Sequence, residues 1–311
     1  MNNILLTGGA GFIGSNVLGE LLNKYNKIKV LDNFSTGKRE NLEPYINDIE
    51  LIEGDVRSYH IVLDAVSKVD VVIHLAALPS VPRSIKDPLT TNEVNVVGTL
   101  NLLQACVQSK VKRFIFASSS SVYGDTSEML KREDMKPNPL SPYAVSKITA
   151  ENYCKVFSKI YGIHTVVLRY FNVFGPNQDP NSQYSAVIPK FINLVLKNET
   201  PVIFGDGTQS RDFTYIKNVV NANLLSIEAD CQPGSIFNCA CGENISVNKL
   251  LSDINIITGK NIKAKYMNSK MGDVKHSLAD ISSAKKYLNY EPEIKFSEGI
   301  KKTINYFVDK K

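Results

Sequence analysis

Apolar positions in the first half of the chain follow two alternating spacings. Short continuous runs at Ile4–Thr7, Ile28–Leu31, Ile49–Glu53, Val69–Leu75, Arg113–Ser118 and Thr165–Arg169 read as strands buried on both faces. Between them the spacing becomes helical. Ile13, Val17, Leu18, Leu21 and Leu22 fall on one face of a helix over Ile13–Leu22, and further helices are predicted near Tyr59–Ser67, Thr90–Ser109 and Tyr143–Tyr161. Buried strands separated by helices predict a doubly wound α/β domain with a parallel sheet covered on both faces.

Beyond Asn172 the alternation fades. Gly175-Pro176, Asp179-Pro180 and Gly205-Asp206-Gly207 are turn signals among short strands and helices. The expected division is a dinucleotide-binding domain over residues 1–172 and a smaller α/β region over 173–311. The second closes over the ligand edge of the first and binds mainly substrate, with the site in the cleft between them.

The 311-residue chain exceeds a prior of roughly 150 residues per domain, which agrees with two parts. A formal net charge of +5 with no basic run argues against a nucleic-acid partner, while a modest positive field favours an anionic substrate. Cys106, Cys154, Cys231, Cys239 and Cys241 form no Cys-x-x-Cys pair and are expected to pack as thiols in a reduced, cytoplasmic protein. His60, His74, His164 and His276 are too widely spaced to suggest a metal site. Met1 leads almost directly into an apolar strand without the basic segment of a secretory signal, and no apolar run approaches the ~20 residues that span a bilayer. No membrane attachment is expected.

Gly8, Gly11 and Gly14, within Thr7-Gly-Gly-Ala-Gly-Phe-Ile-Gly14, directly follow a strand and open a helix. Glycines there permit a tight turn and let backbone amides approach a pyrophosphate at a helix N-terminus. Asp32 ends the second strand, where a carboxylate accepts hydrogen bonds from ribose hydroxyls and repels a 2′-phosphate. NAD is therefore expected over NADP, although Lys38 and Arg39 close by offer charges that a phosphate would use. Asp55-Val56 is placed to contact adenine, with helix capping as the alternative role of Asp55.

Tyr143 and Lys147 lie four residues apart at a predicted helix start, hence on one face. A phenol with a pKa near ~10 is a poor base at neutral pH, and a neighbouring ammonium is expected to draw it down. Tyr143 then takes a proton from a sugar hydroxyl as hydride leaves the same carbon. The run Ala117-Ser-Ser-Ser-Ser121-Val-Tyr-Gly follows a strand at the carboxyl end of the sheet, where its hydroxyls can relay a proton or hold a developing oxyanion.

Together these residues resemble the extended short-chain dehydrogenase/reductase family, whose fold is a Rossmann-type sheet. His74-Leu-Ala-Ala77, Asn95-Val-Val-Gly98-Thr99 and Arg169-Tyr-Phe-Asn172-Val-Phe-Gly-Pro176 extend the resemblance along the chain. It implies NAD contacts from Gly8, Gly11, Phe12, Ile13, Gly14, Asp32, Asn33, Ser35, Thr36 and Gly37. It adds Asp55, Val56, Leu75, Ala76, Ala77, Asn95, Tyr143, Lys147 and Tyr170. It also implies a homodimer joined through a four-helix bundle, here the helices near 90–109 and 143–161.

Within that family the chain is most similar to NAD-dependent UDP-hexose 4-epimerases. Related 4,6-dehydratases carry Thr-Asp-Glu where this chain has Ser119, Ser120 and Ser121, so dehydration lacks its acid. Ser119 and Ser120 join Tyr143 and Lys147 as the implied catalytic set. The implied substrate contacts are Ser80, Arg83, Ser119, Ser120, Ser121, Tyr143, Asn172, Val187, Ile188, Phe204, Arg211, Lys270, Asp273 and Ser277. Gln178-Asp-Pro180, Gly205-Asp-Gly207 and Ser210-Arg-Asp-Phe213 match the branch acting on UDP-N-acetylglucosamine. The resemblance assigns the position of Ser277 to the pocket wall near the sugar's 2-substituent, where a small residue admits an N-acetyl group. Lys270 replaces the family's usual arginine and loses its bidentate grip on a diphosphate. The alternative is another nucleotide-sugar enzyme of the family, a 4-keto reductase or 4,6-dehydratase. A non-catalytic dinucleotide sensor would have no use for Tyr143 and Lys147.

Overall fold

The structure is a computed structural model that describes residues 3–126, 128–180, 186–268 and 275–309. Its centre is a parallel sheet of β1 (Asn3–Thr7), β2 (Lys27–Asp32), β3 (Glu50–Glu53), β4 (Val71–His74), β5 (Arg113–Ser119), β6 (His164–Tyr170) and β7 (Ser235–Cys239). The order is β7-β6-β5-β4-β1-β2-β3, with the reversal between β1 and β4 that opens a ligand crevice at the carboxyl edge.

Alternation along each strand explains why both faces are buried. Ile4 and Leu6 join Val71, Ile73 and Ile115 against Val17, Leu18 and Leu21 of the helix Phe12–Leu22. Leu5, Val72, Phe114 and Phe116 point the other way, onto Leu102, Leu103, Ala150 and Cys154. Each fully buried aliphatic side chain of this kind contributes roughly 1.5–3 kcal/mol. The helix Pro142–Tyr161 starts where the sequence signals it: the Ser141 hydroxyl accepts from the Ala144 amide at 3.2 Å and Pro142 occupies the first turn. The predicted helix near Thr90–Ser109 is segmented into Pro88–Asn92, a π-helical turn Glu93–Val97 and Gly98–Gln108.

The two parts exchange chain. Residues 235–239, in the half assigned to substrate, form β7 and pair with β6 along its length. Conversely, Leu130–Lys131 joins the smaller sheet, whose order is Ile245–Ser246, Ser210–Arg211, His276–Ala279 and Leu130–Lys131. The boundary at residue 172 therefore does not divide the sheets. A parallel partner can come from any distance along the chain, and local spacing carries no record of it. All five cysteines are buried thiols. No described helix is long and apolar enough to cross a membrane.

Candidate active site

A cleft of about 470 Å³ runs along the carboxyl edge of β1, β2, β4 and β5. At one end is the glycine turn. Gly8 has φ +72°, and a Cβ there would lie 2.7 Å from the Ala76 amide nitrogen; one on Gly14 would lie 2.1 Å from the Gly8 carbonyl oxygen. Both glycines are thus required by close backbone approach. Gly11 caps the helix with no side-chain hydrogen bond and no acidic residue in the first turn, and Gly11, Phe12, Ile13 and Gly14 all face the cleft. The first helical amides and the positive end of the dipole are left for an anionic ligand, which fits the pyrophosphate of a dinucleotide.

Asp32 sits beside this turn, its Oδ2 accepting from the Ala10 amide at 2.9 Å and its Oδ1 from the Phe34 amide at 2.8 Å. Burial pushes its carboxyl above the usual range, and these amides pull it back. Lys38 pairs with Asp179 at 3.0 Å, and Arg39 pairs with Glu53 at 2.7 Å while lying over the Phe34 ring. Both cations near Asp32 are therefore engaged, and the residues present fit NAD. Asp55 accepts from Asn33 at 2.9 Å and from the Arg57 guanidinium at 2.8 Å. Arg57 holds its carboxyl down to about 2.

At the other end, the Lys147 ammonium donates to the Ala117 carbonyl at 2.8 Å and lies 5.8 Å from the centre of the Tyr143 ring. Burial pushes Lys147 down to about 8, against the charge of Glu151. Tyr143 is half-buried, with Ser119 near its hydroxyl. Here the expectation needs correcting: desolvation raises the phenol above its ordinary value, and the neighbouring Ser119 opposes it only in part. The reason is geometric, because the ammonium is aimed at a main-chain carbonyl and reaches the phenol only at a distance. His74 is a buried structural residue, bridging Thr7 at 2.7 Å and Thr99 at 2.9 Å, and burial with Lys147 nearby pushes it down to about 3.

The cleft gathers most of the expected cofactor set: Asp32, Asn33, Ser35, Thr36, Val56, Leu75, Ala76, Ala77, Tyr143, Lys147 and Tyr170, besides the glycine turn. Gly37 packs on Ala10 behind it. Asn95 works from beneath, its side chain accepting from the Leu78 amide at 2.8 Å and donating to Ser146 at 3.0 Å, which fixes the loop carrying Ala77 to Ser80. Of the expected substrate residues, Ser80, Arg83 and Tyr143 line the cleft. Ser119 ends β5 at its edge and caps the 3₁₀ turn Ser120–Tyr123, its hydroxyl accepting from the Ser121 amide at 3.2 Å.

The remaining substrate candidates are dispersed at the end of the first part and through the smaller one. Asn172, at φ +34°, donates to the Asp212 carbonyl at 3.0 Å. Val187 and Ile188 open the helix Val187–Leu196, with Ile188 buried in the core. Phe204 ends a strand paired with Lys265–Met267. Arg211 and Ser277 are direct partners in a parallel ladder. Lys270 and Asp273 lie outside the described residues.

Sequence reading missed several lining residues, among them Val173 and Ala186, and assigned Gln178 and Asp179 no place in the cleft. Ser80 is another surprise: it adopts φ +99° at the head of the helix Val81–Lys86, a conformation that L-residues avoid. Strain at a serine leaves no trace in apolar spacing.

A glycine turn on a helix N-terminus, a carboxylate at the end of β2 and a Tyr/Lys pair on one helical face define an NAD-dependent enzyme of the Rossmann class. The profile of the NAD dependent epimerase/dehydratase family matches residues 4–240, and the chain belongs to that family. A putative UDP-glucose 4-epimerase of Methanocaldococcus jannaschii is 38% identical over 97% of each chain. The UDP-N-acetylglucosamine 4-epimerase of Methanobrevibacter ruminantium M1, solved with UDP-N-acetylmuramic acid, superposes with a TM-score of 0.95 at 42% identity over 100% of this chain and 99% of its own. The UDP-glucuronic acid 4-epimerase of Bacillus cereus, solved with UDP-glucuronic acid and NAD, gives 0.92 at 35% over 99% and 100%. These three relatives are isomerases, and NAD is the cofactor of the family.

Proposed function

We propose that the protein interconverts the C4 epimers of UDP-hexoses through a transient 4-keto sugar, with NAD retained between turnovers. The observation that carries this reading is the seating of Tyr143 and Lys147 at one end of the cleft, with Ser119 beside Tyr143, while the other end fits a dinucleotide. Tyr143 takes the proton of the sugar 4-hydroxyl and returns it, while Ser119 holds the oxygen. Lys147 contributes positive charge from behind the phenol. NAD, when bound, supplies the hydride acceptor and, when oxidised, a positive nicotinamide that favours phenolate. The serines at 119 to 121 offer no carboxylic acid to expel water, which argues against dehydration.

For the sugar, the small side chain of Ser277 beside Arg211 supports acceptance of UDP-N-acetylglucosamine and UDP-N-acetylgalactosamine as well as UDP-glucose and UDP-galactose. A homodimer belongs to the same reading. Leu89, Val97, Val145, Val156 and Ile160 are exposed apolar side chains on the two helical segments that the resemblance implies in a four-helix bundle.

The test is incubation of purified protein with UDP-N-acetylglucosamine and, separately, UDP-glucose, without added cofactor, following inversion at C4 by proton NMR. The galacto epimers are expected. No conversion of either sugar, with NAD then supplied, overturns the assignment.

A further inference from the structure

A buried ion pair stands next to the Tyr143–Lys147 pair and has no part in the chemistry above. Glu151 follows Lys147 by one helical turn and Tyr143 by two, so the three side chains share a face of Pro142–Tyr161. Arg169 of β6 grips it with both prongs, Nε donating to Oε1 at 3.0 Å and Nη2 to Oε2 at 2.7 Å. Ser118 donates to Oε1 as well. The guanidinium in turn lies 4.7 Å from the centre of the Tyr123 ring, and Tyr123 donates to Asn238 at 2.6 Å.

Two consecutive residues of β5 thus hold two successive turns of the helix: Ala117 takes Lys147 through its carbonyl and Ser118 takes Glu151. Stability alone is a weak reason for the second link. A buried ion pair carries a desolvation penalty that well-packed apolar residues of the same volume avoid. The helix already has Ala150, Cys154 and Phe157 in the apolar core.

The charge has a direction. The titratable groups that face Lys147 are His74 from β4 and Tyr143, Glu151 and Cys154 from the helix itself, while Arg169 from β6 faces Glu151 and Tyr123, in the turn after β5, packs against that guanidinium. Burial keeps His74 uncharged and raises the phenols and the thiol. Among the described residues Glu151 is the carboxylate that acts on the ammonium.

We propose that Ser118, Glu151 and Arg169 form a positioning cluster for the reaction, locking the helix to β5 in the register that seats Tyr143 and Lys147, and setting a compensating negative charge behind the Lys147 ammonium. This rests on the role assigned to Tyr143 and Lys147 under the proposed function, so the test includes a readout that needs no substrate.

The experiment titrates Lys147 in the holoenzyme by NMR of ¹³Cε-labelled lysine, with Lys147→Met identifying the signal, in wild type, Glu151→Gln, Glu151→Asp and Glu151→Gln/Arg169→Met. The double variant removes both charges, so it remains informative if Glu151→Gln, with an unpaired guanidinium, does not fold. Loss of the carboxylate is expected to lower the Lys147 midpoint by about one unit, and Glu151→Asp to restore it. In the epimerase assay kcat falls at least about tenfold with the KM of the sugar little changed, because the pair is misplaced and substrate contacts are not. A folded double variant with the Lys147 midpoint and the alkaline limb of kcat both in place overturns the proposal and leaves the cluster a matter of stability. If wild type converts neither sugar, the substrate assignment fails, and the titration still decides the effect of Glu151 on Lys147.

Discussion

The Lys147 ammonium and the Ala117 carbonyl, 30 residues apart in the chain, meet at 2.8 Å. That bond places a positive charge under the cleft at the cost of burying it, and burial brings the lysine down to about 8. The sign of the pH effect follows. The working form is the ammonium, present below about 8 and lost as pH rises through it, so kcat is expected to decline on the alkaline side with a midpoint near that value. His74, down at about 3, contributes no limb near neutrality. Profiles of kcat from about pH 6 to 10 check this, and a rate that stays flat to the top of that range contradicts it.

In the proposed reaction Tyr143 is the group that exchanges a proton with the sugar. Tyr143→Phe keeps the ring that lines the cleft and removes the hydroxyl that meets Ser119. Turnover is expected to fall by about 10²–10⁴-fold, with NAD content and thermal unfolding unchanged. The pairing also predicts that Ser119→Ala is milder than Tyr143→Phe, since the serine assists the phenol. Equal losses from the two would mean that the roles are misassigned.

Much of this was legible because local chemistry recorded it. The glycine turn needs glycine at 8 and 14 for steric reasons, and those letters appear directly after a strand. Tyr143 and Lys147 share a helical face by spacing alone. What spacing does not record is the third dimension. Neither β7 nor the crossing of Leu130–Lys131 into the smaller sheet could be read, because their partners are remote in sequence. The raised phenol was missed for a related reason: which way an ammonium points depends on the carbonyl it finds. The support that Asn95 gives the Leu78 loop from beneath was not legible either.

Asp32 serves two masters, the Ala10 amide of the glycine turn and the cleft it lines. Asp32→Ala therefore removes the expected ribose acceptor and leaves a buried amide without its partner, a loss of roughly 1–3 kcal/mol for the amide alone. NAD affinity is expected to fall at least about tenfold, measured by equilibrium dialysis, with a lower thermal midpoint. Tight NADP binding is not expected to appear in its place, because Lys38 and Arg39 are committed to Asp179 and Glu53. Gain of NADP at the affinity that wild type shows for NAD would contradict that account.

The proposed sugar choice turns on Ser277, whose backbone neighbours Arg211 across the parallel ladder between Ser210–Arg211 and His276–Ala279. If this position walls the space near C2 of the hexose, enlarging it should penalise the bulkier substrate and spare the smaller. Ser277→Tyr is expected to reduce kcat/KM for UDP-N-acetylglucosamine by at least about tenfold, because an overfilled pocket costs about 1–3 kcal/mol. The rate with UDP-glucose should stay near that of wild type. The measurement is the ratio of the two rates in one proton NMR assay, which cancels any loss of active protein. A fall shared equally by both sugars would place Ser277 away from the 2-substituent, and selection between acetylated and plain hexoses would then have to come from another part of the cleft.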